Sequence, residues 1–91
     1  MNIHPQTIHF DDRPWSVRGY VYGVNIRYRF TVPEDLIFEE TGKSVLDASD
    51  MIAWANRNIS RIERCCADYV KRRESANRPL NDSDDIIIVR L

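Results

Sequence analysis

The sequence predicts an α+β fold: an antiparallel sheet of an N-terminal strand, a central hairpin and a C-terminal strand, packed against one long amphipathic helix, with a short helix after the hairpin. Three observations carry this reading. Apolar and polar residues alternate with a period of two from Trp15 to Val32, apolar residues recur at spacings of three and four from about Asp47 to about Arg73, and the chain closes on Ile86-Ile87-Ile88-Val89. At 91 residues, with no internal repeat or dividing linker, the chain is expected to form one domain.

Thr7 to Phe10 reads as a short first strand, closed by the turn-forming Asp11-Asp12-Arg13-Pro14, with Pro14 suited to the start of the next strand. In the hairpin, Gly23 can take φ > 0 at the first central position of a type II′ turn, which makes Gly23-Val24 the expected two-residue loop. That register sets Val21 opposite Ile26, Gly19 opposite Tyr28, Val17 opposite Phe30 and Trp15 opposite Val32 on one face. The other face receives Ser16, Arg18, Tyr20 and Tyr22 against Asn25, Arg27, Arg29 and Thr31, with Arg18 directly opposite Arg29.

Pro33 at a first helical position, followed by Glu34 and Asp35, predicts a short helix through about Glu40 that stops near Gly42. In the long helix the stripe is Ile52, Ala55, Ile59, Ile62, Cys66 and Tyr69. Asp47 or Ser49 is its N-cap, and Lys71, Arg72 and Arg73 suit its C-terminal end. This stripe is expected to cover the face of Trp15, Val17, Val21, Ile26, Tyr28 and Phe30. Ser75 to Pro79 break the helical pattern, and Asn81 to Asp85 form an acidic turn. The closing strand, apolar on both faces, belongs inside the sheet or at a subunit contact.

Composition narrows the function classes. With 43% apolar and 30% charged residues the chain reads as a globular protein, and its formal charge of -1 gives no global reason to bind a polyanion. No apolar run approaches the roughly 20 residues of a membrane span, and MNIHPQTIHF lacks the charged and apolar regions of a signal peptide. A cytoplasmic location without membrane contact is the expectation. Cys65 and Cys66 are adjacent in a helical pattern and read as reduced thiols. So small a chain has little core to spare, and a second copy often covers what one copy leaves open. A homodimer is therefore expected.

Two surfaces stand out as binding candidates. The outer hairpin face interleaves Arg18, Tyr20, Tyr22, Arg27 and Arg29, the residue types with which sheets stack bases and hold phosphates, although Tyr and Arg are also ordinary on solvated strands and Tyr20 can pair with Arg27 as a cation-π contact. Like charges directly opposed are destabilising, so the Arg18 and Arg29 pair calls for a carboxylate from Glu34, Glu39, Glu40, Asp82, Asp84 or Asp85, or for a bound anion. The second is a ridge of Arg57, Arg61 and Arg64 on the long helix, continued by Lys71 and Arg72 and flanked by Trp54, which suits an interface anchor or a core edge. Such a ridge is more often the wet side of an amphipathic helix.

Motifs for chemistry are missing. Cys65 and Cys66 have no Cys-x-x-Cys spacing, His4 and His9 lie together in the N-terminal arm, and the three glycines are scattered, so no catalytic residue, metal site, phosphate loop or cofactor is assigned. The order Ile8-His9-Phe10, Val17, Ile26, Phe30, Leu36, Ala55-Asn56-Arg57 and Ala67 resembles a family of small bacterial proteins catalogued as domain of unknown function fourteen-eighty-eight. The resemblance implies a small α+β domain of bacterial or phage origin and carries no activity with it. The expectation is a non-catalytic interaction or regulatory module, homodimeric and with a protein partner, acting through the hairpin face, the helix ridge or the C-terminal strand. The alternative is nucleic-acid binding through the Arg/Tyr hairpin face.

Overall fold

The structure, a computed structural model, describes residues 1–13, 15–43, 47–80 and 84–91. Pro14, expected to start a strand, and Asn81 and Asp82 of the expected acidic turn lie outside the described residues. The class is α+β: five strands, β1 (Asn2–Ile3), β2 (His9–Asp12), β3 (Trp15–Gly23), β4 (Ile26–Pro33) and β5 (Asp85–Ile87), pack against three helices, α1 (Glu34–Thr41), α2 (Ala48–Arg57) and α3 (Ile59–Ser75).

The β3–β4 hairpin is the spine of the sheet. Its register differs from the expected one by two residues: Gly23 pairs with Ile26, Val21 with Tyr28, Gly19 with Phe30 and Val17 with Val32. The loop is Val24-Asn25, and Asn25 rather than Gly23 takes the positive φ, at 60°. Asparagine is among the few side chains that tolerate this region, because its short amide can hydrogen-bond locally. A shift of two leaves the period-two faces unchanged, so Val17, Val21, Tyr28, Phe30 and Val32 are all buried as a set. It does change the partners on the outer face, where Arg18 now faces Thr31, Tyr20 faces Arg29 and Tyr22 faces Arg27.

Both N-terminal strands lie along β3, β2 against Trp15 to Arg18 and β1 against Val21 and Tyr22. The expected first strand over Thr7–Phe10 is thus displaced: Pro5–Thr7 form a 3₁₀ turn, and Asp11 and Asp12 belong to β2 instead of a turn. In the gap between β1 and β2 the Tyr20 N–H donates to Thr7 Oγ1 at 3.1 Å, so the turn satisfies a backbone donor that no strand reaches. Trp15, expected in the core, is 45% exposed at the start of β3 and meets the Phe10 ring edge-on, with centroids 5.2 Å apart.

Pro33 precedes α1 as its cap residue, and Gly42 ends it with φ 68°, its N–H donating to the Phe38 carbonyl. Asp47 caps α2, accepting from the Asp50 N–H at 2.8 Å. The single long helix of the sequence reading is two helices divided at Asn58. There the side-chain Nδ2 donates to the Trp54 carbonyl at 2.8 Å, while the Asn58 backbone N–H turns to Ala55 instead. An amide side chain that competes for its own helix carbonyl interrupts the ladder, and Asn58 (φ -118°) serves as the end of α2 and the start of α3. Met51, Trp54 and Ala55 from α2 and Ile62, Cys66 and Val70 from α3 join the sheet face in one core cluster, with Ile52, Ile59 and Tyr69 at its margin.

β5 returns to the sheet beside β4, parallel to it, with Ile86 beside Phe30 and Ile87 beside Thr31. The sheet is therefore mixed, not antiparallel throughout. The helices fill the β4-to-β5 connection, and a crossover of this length is what a parallel neighbour requires. Ile86 and Ile88 are buried in the core.

Candidate interaction surface

The expected opposition of Arg18 to Arg29 does not occur, because the register moves Arg29 to Tyr20 and Arg18 to Thr31. Each guanidinium has its own carboxylate. Arg18 Nε lies 3.5 Å from Asp11 Oδ2 on β2, and Arg29 Nε lies 2.8 Å from Asp85 Oδ1 on β5. Asp85 is among the acidic residues the sequence offers for this role; Asp11 reads in the sequence as a turn residue, and its pairing within β2 opposite Ser16 brings it beside Arg18. The four side chains line a small groove of about 160 Å³ with His9, Tyr20 and Thr31. Two acids offset two bases there, which weakens the pull of the groove on an incoming anion.

The tyrosines are engaged as well. The Arg27 guanidinium lies over the Tyr20 ring, 4.5 Å from its centroid, so this pair forms as expected, although across a diagonal instead of directly opposite. Tyr22 stacks with His4 at 4.2 Å. One face of each ring that would stack a base is therefore occupied.

The residues of the helical ridge are divided between two helices. Arg57 ends α2, whereas Arg61 and Arg64 lie on α3, beyond the break at Asn58. Arg61 Nη1 sits 2.7 Å from Glu40 Oε1 on α1 and donates to Asn58 Oδ1 at 2.9 Å, which ties it to the junction of the helices. Arg57 and Arg64 are exposed. Trp54, suited by sequence to an interface anchor, is only 4% exposed and belongs to the core, because it lies on the α2 side that faces the sheet.

The thiols are free. Burial, with the neighbouring Cys65 and Glu63, pushes the Cys66 thiol from 9.0 up to about 12. Cys65 is raised too, by burial and then by Asp68, against the lowering effect of Arg61, Arg64 and Arg72. Both directions are opposite to that of an activated thiolate. Among the described residues no three of His, Cys, Asp and Glu gather where they could hold a metal ion.

A second surface was legible only as a run of isoleucines. β5 lies at the edge of the sheet; Ile87 at its end is 52% exposed, and Val89, two residues beyond it, is 77% exposed. Beside them a groove of about 610 Å³ opens between α3 and the C-terminal segment, bordered by Cys65, Tyr69 and Arg72 on one side and by Ile87, Val89 and Leu91 on the other. The sequence signal for it is apolarity on both faces of the closing strand; what the sequence did not disclose is that α3 would flank it. No helix is long and apolar enough to cross a membrane among the described residues. No family model matches the chain, no curated protein matches it, and no solved structure matches it.

Proposed function

We propose that the chain is a small non-catalytic interaction or regulatory module that self-associates and works through its C-terminal edge. The observation that carries this reading is the exposure of Ile87 on an edge strand, and of Val89 just after it, beside an open groove. Soluble domains manage such edges with charges, prolines or a cover, and an apolar edge left open is a template for another chain. The carboxylates that hold Arg18 and Arg29 favour this reading over nucleic-acid binding, since they engage two of the cations a phosphate chain would need. Two free cysteines fit a reducing, cytoplasmic setting.

The test has two arms on the purified chain. Sedimentation across a concentration series is expected to give a dimer mass that dissociates on dilution. Titration with labelled single-stranded DNA and RNA at low salt is expected to show no binding; binding that weakens steeply as salt rises would instead support the nucleic-acid reading.

A further inference from the structure

The edge strand can be read further, down to its occupant and register; the step rests on the self-association proposed above. The Ile88 N–H donates to the Thr31 carbonyl at 2.9 Å, so residue 88 directs its backbone polar groups at β4. Strand residues two apart point the same way, and their neighbours point the other way. Asp85 and Ile87 therefore direct their N–H and C=O groups away from β4, at an edge where no further strand lies among the described residues. The same alternation brings the exposed Ile87 and Val89 side chains to the outer face and buries Ile86 and Ile88 beneath.

The segment Asp84-Asp85-Ile86-Ile87-Ile88-Val89-Arg90 is complementary to itself when reversed. Laid antiparallel to a second copy about Ile87, Asp84 faces Arg90 at both ends, the isoleucines meet in the middle, and no like charges are opposed. A strand that is acidic at one end, basic at the other and apolar between selects its own reversed copy over a parallel one, which would set acid against acid. Two-fold symmetry makes every such contact twice.

We infer that β5 pairs antiparallel with β5 of a second copy across a two-fold axis at Ile87, joining the two sheets into one. In this pairing the strand continues past the end of β5 through Val89, and the hydrogen-bonded pairs are Ile87 with its own copy and Asp85 with Val89. The outer Ile87 side chains cover each other, and each Val89 lies diagonal to the other Ile87.

The experiment uses the full chain carrying Cys65→Ser, with the buried Cys66 kept. Hydrogen-bonded antiparallel neighbours have Cα atoms about 5.5 Å apart, within disulfide range. Ile87→Cys is expected to cross-link to a covalent dimer under mild oxidation or with a short bis-maleimide, whereas Val24→Cys, at the far hairpin loop, is not. Ile87→Asp, which sets like charges on the axis, is expected to weaken the dimer by about tenfold or more in sedimentation. A wild-type dimer that fails to link through residue 87 and survives Ile87→Asp would overturn the β5 pairing and leave self-association standing. A wild-type chain that stays monomeric at its highest soluble concentration would overturn both.

Discussion

Gly19 is the residue on which the packing of the hairpin turns. It lies in the middle of β3 opposite Phe30, and a Cβ built there would stand 2.8 Å from both Cε2 and Cζ of that ring. In a strand, replacing glycine by alanine ordinarily gains stability, because the unfolded chain loses freedom. Here the sign reverses. The Phe30 ring is fully buried and cannot swing aside without displacing its neighbours in the core. Gly19→Ala is expected to cost roughly 1–3 kcal/mol, the usual range for overpacking, read as a lowered midpoint in urea unfolding at unchanged slope. A variant as stable as the parent would mean that the ring relaxes without cost. The glycine thus answers to packing, whereas in the sequence it had served only to fill a place opposite Tyr28.

At the scale of elements, the loop of the hairpin shows how reading and structure diverge. Glycine is the default for positive φ, so the sequence points to Gly23, yet Asn25 occupies that conformation and the register moves by two. Both loops close the same strands, and local propensity separates them by little. An even shift preserves which side chains face the core, so the core was legible while the cross-strand partners of Arg18 and Arg29 were not. The break at Asn58 was hidden for a related reason: spacings of three and four continue across it, from Ala55 to Ile59 and Ile62, and only the side-chain bond to Trp54 reveals it. The direction of β5 depends on the path of the whole connection, which no local pattern encodes. Asn25→Val places a β-branched residue at φ 60° and is expected to destabilise the fold by roughly 1–2 kcal/mol, while Asn25→Gly stays within a few tenths of the parent. Thermal unfolding of the two variants side by side checks this, and equal losses would show that the amide, not the backbone angle, secures the turn.

Across the whole molecule, the chain closes its core with its last residues. The hairpin brings β3 and β4 together locally, but β5 reaches β4 only after α1, α2 and α3 have been laid on the sheet, so its pairing is the most distant in sequence. Closing so long a loop costs entropy that only burial can offset. That burial comes from Leu80, Ile86 and Ile88, all under a tenth exposed and all within the single core cluster. Losing one such side chain typically costs about 2–5 kcal/mol, and a domain of this size has roughly 5–15 kcal/mol in total. A chain ended after Pro79 forfeits all three together with the β4 pairing, in which Ile86 lies beside Phe30, and the Asp85 partner of Arg29. It is expected to lose its cooperative thermal transition and to expand, seen as a featureless near-UV spectrum and a larger hydrodynamic radius than the full chain. Helical signal is expected to fall as well, because α3 draws its order from the face it buries more than from its own propensity. A truncated chain that still unfolded cooperatively would place the stabilising core in the hairpin and helices alone, and would reduce β5 to an appendage whose only role is the edge it presents.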